Sequence, residues 1–130
     1  MIQFTISTKI PASSETLYYS WLHSEGHSAM TGVNANITDK EGDTFSVYSN
    51  YITGRNIELI PNRRIVQKWR TTEFKDTDED SDIAITLTPV GDETLLTLVH
   101  SHIPEGSTDY AAGWEDYYFV PMRVYFAGRR

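Results

Sequence analysis

The stretch Gly113–Phe126, GWEDYYFVPMRVYF, decides the fold of this chain. Together with the residues just before it, it carries large side chains at steps of four, four, four and three: Tyr110, Trp114, Tyr118, Met122 and Tyr125. Such spacing lines one face of an α-helix. The pattern therefore predicts a helix from Thr108 to Phe126 whose aromatic face must be covered by the rest of the chain.

The sequence predicts where this helix begins and where it is interrupted. Ser107, Thr108 or Asp109 is placed to cap its first turn, since Pro104-Glu105-Gly106 stops the preceding segment. Pro121 lies in the interior and removes the hydrogen bond that its amide would donate to the carbonyl of Tyr117. We therefore expect a bend at this point of the helix.

Most of the chain before this helix shows the alternation of half-buried strands. Residues 2–10 predict a first strand, and residues 24–30 predict a short helix. Between them another short helix is predicted, capped by Ser13 or Ser14, with an apolar face formed by Leu17, Tyr18 and Trp21. Six further strands are predicted at 33–38, 44–48, 51–60, 64–70, through Ile83, Ile85 and Leu87, and at 94–103. This order, β-α-α-β6-α, predicts an α+β fold in which a curved antiparallel sheet wraps around the long C-terminal helix, as a single domain over residues 1–130.

The bulk composition limits the function. A net charge of −7 disfavours nucleic acid as a partner, because binding the phosphate backbone needs clustered Lys and Arg. The chain has no cysteine, no run of 18 apolar residues and no basic segment followed by an apolar run at its N-terminus. We therefore expect a cytoplasmic protein with neither a signal peptide nor membrane insertion.

Residues 73–82 concentrate the negative charge, with six acids and one base. The main interpretation is a solvated loop between two strands, and the alternative is a docking patch for a basic partner.

Three local patterns, in one order, resemble a known family. They are Gly54 to Leu59 followed by Pro61 and the run Ile65 to Arg70, Thr94 to Leu98 leading into Ile103-Pro104, and Gly113-Trp114 followed by Tyr117 to Phe119 and Tyr125-Phe126. The chain is similar throughout its length to the family named after the activator of Hsp90 ATPase, within the START and Bet v 1-like superfamily. The resemblance implies a helix-grip fold, and it implies an Hsp90-type chaperone as a possible partner and stress response as a setting.

The four histidines fall into two pairs, His23 with His27 and His100 with His102. Either spacing can place two imidazoles on one side, but neither pair has the pattern of a metalloprotease, and we expect no metal site. The first pair is interpreted as surface or turn histidines. His100 shares a strand face with Leu96 and Leu98, which leaves two interpretations: a polar group in a ligand pocket or a structural hydrogen bond.

No motif for enzyme chemistry or for a cofactor is present. The chain has neither a Gly-x-Ser-x-Gly elbow nor a glycine-rich phosphate loop. We predict no catalytic residue and no cofactor, and the remaining enzymatic alternative is acid–base work by His100 as in a cyclase or hydrolase.

A cavity between the sheet and the C-terminal helix is the leading functional prediction. A sheet curved around one helix can enclose more volume than the helix side chains fill, and we expect a hydrophobic or aromatic small molecule there. The predicted ligand-binding residues are Trp21, Phe45, Tyr48, Trp69, Leu87, Leu98, His100, Trp114, Tyr118 and Met122. The second hypothesis is an Hsp90 co-chaperone-like interaction module that uses the surface near Lys68, Arg70 and the acidic loop.

Overall fold

The structure is a computed structural model that describes residues 1–129. Seven strands, short N-terminal helices and an interrupted C-terminal helix follow one another in the predicted order. The elements are β1 Ile2–Ile10, α1 Ser14–Trp21, α2 Ser24–Thr31, β2 Ala35–Asn36, β3 Thr44–Val47, β4 Ile52–Ile60, β5 Arg64–Thr71, β6 Ser81–Val90, β7 Glu93–Ile103, α3 Tyr110–Trp114, a π-helical segment Glu115–Phe119 and α4 Val120–Ala127.

All seven strands form one antiparallel sheet in the order β1-β7-β6-β5-β4-β3-β2. Strands β2 to β7 pair with their sequence neighbours, and β1 joins the far edge by pairing with β7, as in Ile6 opposite Leu98. The curved sheet and the C-terminal helix give the α+β helix-grip fold that the sequence predicts. The first predicted strand after the helices is shorter than expected, since only Ala35–Asn36 pairs with β3.

Strict alternation along the central strands places the core on the concave face. In β5, Ile65, Gln67 and Trp69 are each exposed by 4% or less, as predicted from their spacing. The buried amide of Gln67 donates to Asn56 Oδ1 at 2.8 Å, and its oxygen accepts from the indole of Trp21 at 3.3 Å. Burial of these polar side chains is therefore compensated by hydrogen bonds.

Gly54 in β4 allows a close approach to the backbone of the neighbouring strand β5. A Cβ atom added there would lie 1.9 Å from the carbonyl oxygen of Lys68 and 2.5 Å from the ring of Phe45. The sequence offered a bulge or a close approach at this glycine, and the structure shows the close approach. The register shift of β4 lies further along, between Asn56 and Glu58.

The C-terminal helix begins at the predicted cap. Asp109 is the N-cap, and its side chain accepts from the amide of Ala112 at 3.1 Å. At the point where proline predicts an interruption, the structure has the π-helical segment directly before Val120-Pro121, and the amide of Val120 donates to the carbonyl of Glu115. The wider turn lets the chain pass Pro121, which has no amide to donate.

The π segment also corrects the predicted buried face. Tyr110, Trp114, Tyr118 and Met122 are buried as expected, but the face continues to Phe126 rather than to the half-buried Tyr125. Each step of four overshoots a 3.6-residue turn by about 40°. A turn that takes up extra residues offsets part of this drift and keeps steps of four on the inner face. Phe119, 1% exposed, is a further core residue that the spacing did not single out.

The helices formed by residues 1–129 all lack the length and apolar character that a membrane crossing requires.

Candidate ligand cavity

A cavity of about 300 Å³ lies between the first half of the C-terminal helix and the β3–β5 side of the sheet. Seven of its thirteen lining residues are aromatic. The lining residues are Val33, Val47, Tyr48, Tyr51, Ile52, Trp69, Thr108, Asp109, Tyr110, Gly113, Trp114, Tyr117 and Tyr118. Apolar walls with few polar groups are typical of small-molecule sites.

Gly113 keeps one wall of this cavity open. It lies in α3 between Tyr110 and Trp114, and a Cβ atom added at this position would meet nothing within 4 Å. Its backbone angles are helical, so no positive φ calls for glycine here. The missing side chain therefore leaves space at the wall, at a cost in helix propensity of about 1 kcal/mol relative to alanine.

The turn between β3 and β4 forms the mouth. Three consecutive residues, Tyr48, Ser49 and Asn50, have φ of 58°, 52° and 70°, a left-handed conformation that is uncommon for a tyrosine. Asn34 holds the turn, since its Oδ1 accepts from the amide of Ser49 at 2.8 Å and its Nδ2 donates to Ser49 Oγ at 3.0 Å. The exposed ring of Tyr48 lies edge-to-face with Tyr51 at the cavity wall.

Glu73 connects two residues at the rim of the cavity, Tyr51 and Thr108. Its carboxylate accepts from the hydroxyl of Tyr51 on one side and from that of Thr108, at 2.6 Å, on the other. The hydrogen bonds from Thr108 and Tyr51 hold the pKa of Glu73 below its usual range, and burial followed by the bond to Glu73 raises the pKa of Tyr51 to about 12. Glu73 therefore links the start of the C-terminal helix to the β3–β4 side of the cavity.

The structure gathers four of the predicted site residues at the cavity: Tyr48, Trp69, Trp114 and Tyr118. The other six do not line it: Trp21, Phe45, Leu87, Leu98, His100 and Met122. Leu87, Leu98 and Met122 are packed in the core, while Phe45 covers Gly54. The cavity is therefore open beside the first half of the C-terminal helix, whereas side chains fill the space beside its second half. The periodicity of the sequence does not predict this difference.

His100 belongs to a closed hydrogen-bond chain behind the cavity wall. Trp114 donates its indole N–H to Nδ1 of His100 at 3.0 Å. Because an indole only donates, Nδ1 must accept, so Nε2 carries the proton and donates to Ser81 Oγ at 2.9 Å. Ser81 in turn donates to the carbonyl of Trp69 at 2.6 Å.

This chain leaves no nitrogen of His100 for a substrate. The side chain is 0% exposed, and burial lowers its pKa to about 4, so the ring is neutral near pH 7. Of the two interpretations of His100 from sequence, the structural hydrogen bond describes the geometry. The alternative of acid–base catalysis by His100 has no support in this arrangement, because both ring nitrogens are already paired.

His27 corrects the interpretation of the first histidine pair. His23 is partly exposed, but His27 is buried at 1% exposure, donates Nδ1–H to the carbonyl of Trp21 at 2.7 Å and accepts from the hydroxyl of Tyr118 at 2.8 Å. Burial lowers the pKa of His27 to about 4 and raises the pKa of Tyr118. His27 thus fixes the ring of Tyr118 at the cavity wall. The one sequence signal of an inward orientation is that His27 lies three residues before the apolar Met30 on a short helix.

The basic side chains near the acidic loop are paired within the protein. Arg70 donates to Asp80 Oδ1 at 2.9 Å and to the carbonyls of Asp78 and Lys75, while Lys68 donates to Asp82 Oδ1 at 2.5 Å. These bonds attach the loop to β5, and Phe74 within it is buried against Trp69 and Tyr110. Within residues 1–129, no group of three or more His, Asp or Glu side chains is arranged to hold a metal ion.

The fold and the cavity together define a helix-grip protein with an aromatic cavity beside its C-terminal helix. The family model for "Activator of Hsp90 ATPase homolog 1-like protein" matches residues 11–127, and the chain therefore belongs to that family. The resemblance seen in the sequence is confirmed.

Individual relatives agree with this assignment. The chain is 29% identical over 127 residues to the human activator of 90 kDa heat shock protein ATPase homolog 1, a match that covers 95% of this chain and 37% of that protein. It thus spans little more than a third of the length of that curated relative.

Two solved structures share the fold. The crystal structure of an HSP90 activator from Plasmodium falciparum has a TM-score of 0.86 and 23% identity, and the match covers 98% of this chain and 97% of that one. Protein MLL2253 from Mesorhizobium loti has a TM-score of 0.82 and 14% identity, with 99% of both chains covered.

Proposed function

We propose that this protein binds a small hydrophobic or aromatic molecule in the cavity between the sheet and the C-terminal helix. The observation that carries the proposal is the unfilled aromatic space of about 300 Å³ beside a core in which Leu98, Phe119 and Met122 are at most 1% exposed. Concave spaces with mostly apolar walls and a few polar groups are the usual sites of small-molecule binding.

The wall residues are also held in place before any ligand arrives. Tyr118 is fixed by His27, Trp114 by His100 and Tyr110 by Thr71, whose hydroxyl lies 2.6 Å from that of the tyrosine. Rings that are already ordered lose little conformational entropy on binding. A cavity whose wall rings are ordered in advance is better suited to bind a ligand than a surface of mobile side chains would be.

Two measurements test the proposal. Native mass spectrometry should reveal a small molecule that co-purifies with the protein, and lipids, flavonoids and fatty acids should be screened for a shift in the melting temperature. Binding raises the apparent stability by mass action. A protein that carries no molecule and shows no shift with any compound would contradict the proposal.

A matched pair of variants locates the site. Gly113→Leu places a side chain into the open wall and should abolish binding while the helix gains propensity. Ala112→Leu is the control, because residue 112 lies on the same helix, is exposed and does not line the cavity. If a ligand shifts the melting temperature equally in both variants, the ligand binds outside this cavity.

A second candidate is a chaperone-binding module, possible partners being Hsp90-type ATPases. It is favoured by the similarity to the human activator and by the fold shared with the Plasmodium HSP90 activator. The proposed contact surface is the region of Lys68, Arg70 and the acidic loop, although its basic groups are engaged in internal pairs. Adding excess protein to a purified Hsp90-type ATPase should change its rate. An unchanged rate together with no binding would rule out this role.

A further inference from the structure

The polar ring atoms on the cavity wall differ in whether they already have a partner. Four of them are hydrogen-bonded within the protein: the hydroxyls of Tyr51, Tyr110 and Tyr118 and the indole N–H of Trp114. A ligand oxygen cannot take the hydrogens of Tyr51, Tyr118 or Trp114 without breaking an existing bond, whereas the hydroxyl oxygens can still accept.

Trp69 is the exception among the buried rings. Its side chain is 4% exposed, yet its indole N–H has no hydrogen-bond partner within residues 1–129, whereas Trp21 and Trp114 donate to Gln67 and His100. Within residues 1–129, every side-chain nitrogen or oxygen that is fully enclosed has a hydrogen-bond partner. The Trp69 nitrogen must therefore retain some accessible surface.

We assign that surface to the cavity, because the cavity is the open space that the Trp69 ring lines. Phe74, His100, Tyr110 and Trp114 pack against the Trp69 ring at centroid distances of 4.7 to 6.5 Å, and Trp69 itself lines the cavity. Because an indole N–H donates and cannot accept, the group is suited to an oxygen or nitrogen acceptor on a ligand.

The size and charge of the cavity further restrict the class of ligand that it can bind. A cavity of about 150 Å³ can hold benzene, so the larger space found here suits two fused rings. Asp109 on the wall and Glu73 at the rim add negative charge to a protein of net charge −7. A carboxylate ligand would meet like charges, and an uncharged acceptor would not.

We infer that the cavity takes an uncharged two-ring compound whose carbonyl or ether oxygen accepts a hydrogen bond from the indole N–H of Trp69. This inference rests on the proposed function and adds the ligand class and the residue that selects it. A hydrocarbon would cover the N–H and leave it unpaired, so the site discriminates against it by about tenfold.

The test compares two probes that differ by one group. α-Tetralone and tetralin have the same fused rings, but the ketone carries a carbonyl where the hydrocarbon has a methylene. Their dissociation constants are measured with the wild-type protein and with Trp69→Phe, which removes the N–H and keeps an aromatic ring. The ratio of the two constants should fall about tenfold in the variant. Differences in water solubility cancel in this comparison.

A second readout does not depend on the variant. The protein has three tryptophans, so a ¹⁵N-labelled sample gives three indole N–H signals. The ketone should move the Trp69 signal downfield, while the signal of Trp21, which donates to Gln67 and does not line the cavity, serves as the internal control. The anion 2-naphthoate should bind more weakly than the ketone.

The outcomes separate the two proposals. If both probes bind but the ketone preference is absent, or survives in Trp69→Phe with no movement of the Trp69 signal, the inference is wrong and the binding function stands. Tighter binding of 2-naphthoate would likewise overturn the uncharged class. If neither neutral probe binds, this inference fails, and the proposed function is then decided by its own ligand screen.

Discussion

Trp114 and His100 join the C-terminal helix to β7 through one hydrogen bond of 3.0 Å, in a place where both side chains are at most 2% exposed. The bond fixes the tautomer of the histidine, and the histidine fixes the plane of an indole that forms part of the cavity wall. A single pair thus connects the interior of the fold to the geometry of the proposed site.

Replacing Trp114 by phenylalanine should destabilise the protein. The variant leaves Nδ1 of His100 buried without a donor, which costs about 1–3 kcal/mol, in addition to lost packing. Urea denaturation measures the change. Tyr117→Phe is the control, since residue 117 lies on the same helix and is 66% exposed; it should change the stability by less than about 0.5 kcal/mol. Equal denaturation midpoints for both variants would show that the bond contributes little.

Acid should destabilise the protein through its two buried histidines. The pKa of His27 and that of His100 are lowered from 6.5 to about 4 in the folded state, chiefly by burial. The unfolded chain therefore binds more protons between these values, so stability is complete above pH 6.5 and falls as the pH drops toward 4. Each group can contribute roughly 3 kcal/mol to the loss.

Denaturation midpoints measured between pH 7.5 and 4.5 check this dependence. Variants His23→Gln and His102→Gln, at partly exposed positions, should keep the same slope. A stability that stays constant from pH 7 to 5 would mean that the two buried rings are protonated without loss of structure.

Gly54→Ala should be among the most destabilising single substitutions. The added methyl group would overlap the carbonyl oxygen of Lys68 on the paired strand, and relief requires the separation of β4 from β5. Overpacking of this kind costs about 1–3 kcal/mol, and a backbone clash more. Gly128→Ala provides the comparison, because a Cβ atom there has ordinary contacts of 3.7 Å and longer. Thermal denaturation of the two variants by circular dichroism should differ clearly, and similar melting temperatures would contradict the close approach.

Glu73→Ala should loosen the rim of the cavity without unfolding the sheet. The variant removes the acceptor shared by Tyr51 and Thr108, so the backbone amides of residues 105–109 should exchange faster with deuterium. Because the pKa of Glu73 is lowered in the fold, its contribution is present above the unfolded pKa and is lost as the pH falls through the folded pKa. Asp76→Ala, in the same acidic loop, should leave amide exchange at residues 105–109 unchanged. If both variants exchange alike, Glu73 does not hold the rim.

Much of the fold could be predicted from periodicity and turn residues, because these report local geometry. The alternation in β5 identifies its buried face, and Asp109 was among three predicted caps. The π segment was not predicted, since proline signals an interruption but does not say which form it takes. His27 was assigned to the surface because a short helix with Gly26 gives a weak pattern.

The sequence by itself determined the order of the elements, the helix-grip architecture and the family, since these depend on spacing along the chain. Only the tertiary structure decided which aromatic rings face empty space and which fill the core. Tyr118 lines the cavity and Met122, one turn later, does not, although both lie on the same helix face. The reason is that a cavity is the volume left between elements from distant parts of the chain, and no local pattern encodes that volume.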